Sequence, residues 1–424
     1  MKPVKIQKDL NGNYDEEYLK LDKSNSNNYL YVKNHSFIKY FIYVLLLLFF
    51  IFILFINKFT NIKMIDLKKY KIFVNDCKNF KKYDRISINT ENPYTSICLA
   101  ALNMENYIEQ NLLSIINQSF QDFEIIIVND FSSDNTENII KKMQYGYQRI
   151  KIINHSKNLG VYTSRIEAIL NGKGKYTILM DPDDMFLNEN LLQELFSYNS
   201  QFNLDIIEFS VYQQYDGTRK IYYPDNHFES HYHNFPKNII YQPELSNLLY
   251  FNPGTNEYSH TICRNIWNKM INRKIFFDMY IYIGIDYFKE FVITSDDMLM
   301  NIIVNQFANN YSNIELPGYL YNIRKVSMSR GYGGEELKII RTINHFFYFK
   351  IFYRYIKDYH KDRNYLFYEM KDLNHYILYI KDLNITNYIP LEIEYINDLM
   401  NDKYCSNEFK NYLNELLIYF QKTT

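Results

Sequence analysis

The chain predicts an α/β fold, a mostly parallel sheet flanked by helices, and three observations carry that expectation. Short apolar runs of strand length alternate with segments of helical period between residues 93 and 200. Those runs are apolar throughout rather than at every second residue, as strands covered on both faces must be. Acidic residues gather where the runs stop, at the strand ends where an open parallel sheet receives its ligands.

The elements follow in order after Pro93. "TSICLAAL" is the first strand, and "ENYIEQNLLSIINQSF" repeats Ile108, Leu112, Ile115 and Ile116 at helical spacing before "FEIIIVND" forms the second. "TENIIKKM" reads as helix, "RIKIIN" as strand, "VYTSRIEAILNG" as a helix ended by Gly172, and "KYTILM" as a fourth strand. Asp130 and the "DPDD" of residues 181–184 both stand at carboxyl ends, so one crevice can hold them despite their distance in sequence. Further on, "ENLLQELFSY" is a helix, "LDIIEFSVY" a strand, and 212–260 a polar stretch suited to short strands and substrate loops. "DDMLMNIIVNQFA" is a helix opened by acids and "YLYNIR" a strand. From Glu335 onward, Ile, Phe, Tyr and Leu stripes predict helices packed on the sheet or on each other.

"LMDPDDMFL" crowds Asp181, Asp183 and Asp184 behind an apolar run. Like charges so placed repel unless something positive sits among them, which points to a metal ion or a very polar ligand. The competing explanation is an acidic turn in which Asp184 or Asn188 caps the next helix.

Composition narrows the partners. Lys and Arg total 47 against 48 Asp and Glu, a net charge of -1, so bulk charge implies no nucleic-acid partner. Cys77, Cys98, Cys263 and Cys405 share no zinc-ligand or disulfide-framework spacing, and Cys98 falls within a strand pattern as core. Sequons at Asn34, Asn117, Asn154, Asn310 and Asn384 are what so Asn-rich a chain makes by chance.

Near the start, "YFIYVLLLLFFIFILFI" (40–56) has no charge, Gly or Pro and is long enough to cross a bilayer. It follows a polar leader and lacks a small-residue cleavage pattern, so an uncleaved anchor is expected in preference to a signal peptide. The expected organisation is a polar tail over 1–36, a single-pass anchor over 37–57 and a basic stem over 58–92. Lysines on the two sides nearly balance and tip only slightly toward a cytosolic body. On that side the stem would meet anionic headgroups. The expected location is a membrane, Golgi or ER in a eukaryote and the plasma membrane otherwise.

The order of motifs resembles the family 2 glycosyltransferases, nucleotide-sugar enzymes of GT-A (Rossmann-like) fold. "SICLAALN" is similar to their opening strand, "NDFSSDNT" to their Asp-Asp-Gly-Ser-x-Asp turn, "NLGVYTSR" to their Gly-to-Arg segment and "LMDPDDMF" to their Asp-x-Asp-Asp signature. The likeness runs from Tyr94 to Phe196 and continues more faintly through "IWNKM", "SDDMLM" and "YNIRKVSMS". It implies a GT-A domain over 93–334, with a nucleotide-sugar half at 93–200 and an acceptor half at 201–334, and a helical extension over 335–424.

Carried over by position, the resemblance gives Asp130 a hydrogen bond from the donor's ribose or base, a helix cap being better suited to Asp134. Arg165 would face the donor or else be a surface arginine. Asp183 would bind Mn2+ or Mg2+, with Asp181 on the ribose or the metal's water shell and Asp184 assisting. Leu102 and Asn103 would lie against the donor. In "TSDDMLM", Asp297 would be the general base and Asp296 its neighbour, unless the pair simply favours a helix N-terminus. Trp267, Asn268, Lys269 and Arg324 would lie near acceptor and diphosphate, Trp267 equally being core.

Two departures stand out. Ala100 and Leu102 replace a Pro and an aromatic, removing a base-stacking ring, and Phe131 replaces the turn's Gly. The implied activity is inverting transfer from a nucleotide sugar, a UDP-sugar favoured, to a hydroxyl of a glycan, lipid or protein. The alternatives are a polyprenyl-phosphate acceptor, a haloacid-dehalogenase-like phosphatase and a non-catalytic sugar-nucleotide-binding membrane protein. The phosphatase family expects Thr or Val where Met185 stands and places its nucleophile strand first.

Overall fold

The structure, a computed structural model, describes residues 91–215, 221–222, 239–245, 265–284, 296–324, 344, 348, 351–359 and 389–421. The expected tail over 1–36, the anchor over 37–57 and all of the stem over 58–92 except residues 91–92 lie outside them. Among the described residues no helix is long and apolar enough to cross a membrane.

The first four strands are β1 (Thr95–Ala101), β2 (Phe123–Asn129), β3 (Ile150–Asn154) and β4 (Tyr176–Met180). Helices α1 (Ile108–Ile116), α2 (Thr136–Gly146) and α3 (Val161–Asn171) connect them as the alternation predicts. All three pairings are parallel, with Thr95 opposite Phe123 on one side and Tyr176 on the other. Successive residues of each strand feed opposite faces. Ile97, Leu99, Ile125 and Ile127 pack beneath α1 and α2, while Cys98, Ile126 and Val128 pack with Ile166 and Ile169 of α3. Both faces are therefore apolar, which is why these strands read as unbroken hydrophobic runs.

Beyond β4 the sheet ceases to be mostly parallel. The later elements are β5 (Met185–Phe186), α4 (Leu191–Phe202), β6 (Ile206–Tyr215), β7 (Ile221–Tyr222), β8 (Ile240–Tyr241), β9 (Lys269–Asn272), α5 (Arg273–Ile283), α6 (Asp296–Phe307) and β10 (Asn310–Ile323). The sheet order is β3-β2-β1-β4-β9-β6-β10-β5, with β7 on β6 and β8 on β10. Strand β9 runs antiparallel to both β4 and β6, whereas β6 and β10 are parallel. The expected mostly parallel sheet is thus a mixed one. The stretches 93–200 and 201–334 contribute strands to the same sheet rather than to separate ones.

The chain order reverses between β1 and β4, and the crevice outside such a switch point is where an open sheet binds ligands. The expected C-terminal helices include 351–359, α7 (Ile389–Asn401) and α8 (Asn407–Gln421). Their Phe352, Ile356, Ile396 and Phe409 join the apolar layer of Met279 from α5 and Ile303 from α6, on the sheet face that α3 covers. Among the described residues Cys98 and Cys405 are buried free thiols.

Candidate active site

The turn after β4 is built by its neighbours. Asn111 of α1 donates from its side-chain amide to the carbonyls of Asp181 at 3.0 Å and Asp184 at 2.8 Å. The Tyr319 hydroxyl accepts from the Asp181 backbone N–H at 3.1 Å and donates to Asp184 Oδ2 at 2.7 Å. A register irregularity at Pro317 in β10 precedes that tyrosine, the kind of bulge that re-aims a side chain. Asp184 also accepts the Asn322 N–H at 2.7 Å and is fully buried. Burial, then the charges of Asp183 and Asp181, push its pKa well above the carboxylate range against those two hydrogen bonds. It is a wall of the site rather than an exposed ligand.

The positive charge that the crowded acids demand comes from two arginines. Arg165 of α3 reaches Asp181 Oδ1 with one terminal nitrogen and Asp296 Oδ2 with the other, each at 2.5 Å. Its pKa is raised: the charges of Asp296, Asp181 and Asp297 outweigh burial. Arg324 Nε lies 2.6 Å from Asp183 Oδ2 but out of line for a hydrogen bond, so the contact is an ion pair. Its guanidinium also sits 5.3 Å from the Tyr107 ring centroid. The Asp183 carboxyl is pushed up to about 6 by burial and by Asp181, with Arg324 opposing.

Asp296 and Asp297 open α6. Asp297 Oδ1 accepts the Met298 N–H at 2.8 Å, and burial followed by the Asp296 charge raises its pKa to about 6, with Arg165 opposing. Arg165 therefore draws the acids after β4 and the acids of α6 to one point.

Asp130 stands at the end of β2, its backbone N–H donating to the Ala101 carbonyl at 2.8 Å. Its carboxylate accepts the N–H groups of Leu159 at 2.7 Å and Gly160 at 2.9 Å, and lies 2.7 Å from His155 Nδ1. The other His155 ring nitrogen is 2.7 Å from Glu167 Oε2. Burial works against protonation of His155, but both carboxylates outweigh it and raise the pKa. Asp130 thus clamps the entry to α3, the helix that carries Arg165. Asp134 accepts the Thr136 N–H at 3.0 Å, although the N-cap position of α2 is Asn135, which makes no side-chain cap.

Residues 96–277 match the sequence profile described as "Glycosyl transferase family 2". This segment is a family 2 glycosyltransferase domain. A glycosyltransferase of Haemophilus influenzae is 39% identical over 93 residues, covering 22% of this chain and 29% of that protein. The cholesterol galactosyltransferase of Borreliella burgdorferi is 26% identical over 219 residues, covering 51% of this chain and 58% of that protein. The chain spans less than two thirds of the length of either relative. The crystal structure of S. aureus TarS 1–349 in complex with UDP-GlcNAc has a similar fold, with a TM-score of 0.51, 17% identity and coverage of 78% of this chain and 88% of that one.

Asp181, Asp183, Arg165, Asp296, Asp297 and Arg324 come together, and the last three of these in chain order lie beyond the matched segment. Asn268 and Lys269 do not reach the crevice, and their expected contact with acceptor or diphosphate is corrected. Both are fully buried. The Asn268 side chain donates to the Phe209 carbonyl, and Lys269 Nζ pairs with Glu208 across β9 and β6 at 2.9 Å. Trp267 is buried as well, stacked on Tyr319 at 4.4 Å and on Tyr321 at 5.5 Å, so it braces the tyrosine behind the acids. Motif spacing missed Tyr319, Asn111 and His155. The position of His155 just beyond β3, at a carboxyl end, was the one available signal.

A divalent ion is compatible with this donor set. Among the described residues no three His, Cys, Asp or Glu side chains form a ready cage. Asp181 and Asp183, with 26% and 15% of their side chains exposed, are the two hard oxygen donors that open to the crevice. A pair of carboxylates suffices for an ion whose remaining ligands are phosphate oxygens and water.

Proposed function

We propose that the glycosyltransferase domain transfers a sugar from a nucleotide-sugar donor to an acceptor hydroxyl by a single in-line displacement with inversion. The observation that carries this reading is Arg165, which joins Asp181 to Asp296 and so brings a diphosphate-binding acid cluster and a basic carboxylate to one crevice. Asp181 and Asp183 would hold Mn2+ or Mg2+, which neutralises charge developing on the departing nucleoside diphosphate. Asp297 takes the proton of the acceptor hydroxyl as its oxygen attacks the anomeric carbon. A carboxyl raised to about 6 is better matched to that transfer near neutral pH than one at its ordinary value. Arg165 orients Asp181 and Asp296, and Tyr319 fixes the turn between β4 and β5. A UDP-sugar is the first donor to test, since TarS 1–349 was crystallised with UDP-GlcNAc and shares the fold.

The acceptor is a hydroxyl of a glycan, lipid or protein at a membrane surface, with the chain held through residues 37–57. A phosphate acceptor needs no base, so retention of full activity in Asp297→Asn would favour a polyprenyl phosphate. The deciding experiment incubates the full chain with a panel of nucleotide sugars and Mn2+. Release of nucleoside diphosphate that disappears in Asp183→Asn supports the reading. Uptake of donor without turnover would leave a sugar-nucleotide-binding protein.

A further inference from the structure

Phe131 is out of place by two ordinary criteria. Its φ is +65°, a left-handed conformation that a bulky L residue adopts only under constraint. Its side chain is 56% exposed, so burial of the ring does not compensate for that strain. Strain of this kind persists where the surroundings hold it, commonly at ligand sites.

Its surroundings are well defined. The Asp130 N–H donates to the Ala101 carbonyl at 2.8 Å, and the Asn103 N–H donates to Ser132 Oγ at 3.0 Å. A third bond runs from the Ser133 N–H to Asn103 Oδ1 at 2.8 Å. Leu102 and Phe131 therefore occupy neighbouring backbone positions, bracketed by cross-links between the ends of β1 and β2. These ends flank the switch point on the side away from β4. With the diphosphate expected at the acids after β4, what remains of a nucleotide must extend toward β1 and β2.

We propose that Phe131 supplies the stacking face for the donor's nucleobase, in place of an aromatic at position 102. An exposed ring beside an aliphatic residue offers one π-face and one apolar edge to a planar heterocycle, and such stacking tolerates different bases. The left-handed backbone is then kept because it turns the ring outward at the crevice, where an unstrained glycine would leave nothing to stack on.

The inference rests on the nucleotide-sugar reading, and the test separates the two. Calorimetry on the full chain with Mn2+ measures affinity for UDP and for inorganic pyrophosphate, which has no base, in wild type, Phe131→Gly, Phe131→Leu and Phe131→Trp. Expected is a loss of UDP affinity of about tenfold or more in the Gly and Leu variants, affinity retained in the Trp variant, and pyrophosphate affinity unchanged in all three. The melting temperature of Phe131→Gly should not fall, because glycine relieves the backbone. Equal UDP affinity in wild type and Phe131→Gly overturns this inference alone, as does a parallel loss of UDP and pyrophosphate. A wild-type chain that binds no nucleotide overturns the functional reading as well.

Discussion

The Glu208–Lys269 pair and the acid cluster beyond β4 both bring buried carboxylates and cations together, and they differ in what is left over. Between β6 and β9, Glu208 and Lys269 pair with 2% and 0% of their side chains exposed. The Tyr311 hydroxyl donates to Glu208 at 2.8 Å and Lys269 donates to the Asn265 carbonyl at 2.5 Å. Charge and hydrogen bonds there are balanced within the chain. Beyond β4, Asp181, Asp183, Asp184, Asp296 and Asp297 share Arg165 and Arg324, and the acids outnumber the cations. Burial first, and the neighbouring acid second, raise the carboxyls of Asp183 and Asp297 to about 6. A satisfied pair holds sheet strands together, whereas an unbalanced cluster open to solvent is ready for a cation or a proton.

The contrast can be broken most forcefully at the base. Asp297→Asn should lower transfer by about a hundred- to ten-thousandfold while circular dichroism and the melting transition stay native; a mild loss would remove Asp297 from the chemistry. Lys269→Ala should do the opposite, leaving the crevice chemistry alone and destabilising the fold by about 3–5 kcal/mol, because it strands a buried carboxylate. Denaturant titration measures this, and a Glu208→Leu, Lys269→Met double variant should regain much of the loss.

Tyr319→Phe tests the brace between the two regions. Removing the hydroxyl takes away the bonds to the Asp181 N–H and to Asp184 Oδ2, leaving Asp184 only the Asn322 N–H, at a cost of about 1–3 kcal/mol. Turnover should fall more than donor affinity, since the turn carrying Asp181 and Asp183 loosens. Equal kcat in wild type and variant would show that Tyr319 only packs against Trp267.

The smallest effect is in pH. Asp183 and Asp297 have folded pKa values raised from 3.8 to about 6, so the folded state binds protons more tightly and loses stability as pH rises through that window. His155, raised above 6.5 by Asp130 and Glu167, contributes stability that is full below 6.5 and is lost as pH passes its folded value. Melting temperature should therefore decline in two steps on going from acid to alkaline. Asp297→Asn should flatten the first and His155→Gln the second, while turnover falls below about pH 6 as Asp297 takes up its proton.

Strands β1 to β4 and their helices followed from apolar runs such as Ile125 to Val128, a local pattern set by burial on both faces. Strand β9 was hidden because "KMIN" is short and begins with a lysine, and only its antiparallel partners define it. Lys269 was expected near acceptor and diphosphate only through the resemblance of "IWNKM", and a motif does not reveal the Glu208 opposite it. The Asp181 to Asp184 cluster was legible as unusual, but the partners that offset its charge were not.

Sequence alone determined the α/β alternation, the acids at the carboxyl ends and their surplus of negative charge, since each depends on residues close together along the chain. The tertiary structure decided which cation meets which carboxylate: Arg165 against Asp181 and Asp296, Arg324 against Asp183, and Lys269 against Glu208. Such pairings join segments far apart in the chain, and the Coulomb energy that selects them depends on separation and burial, neither of which exists until the sheet has formed.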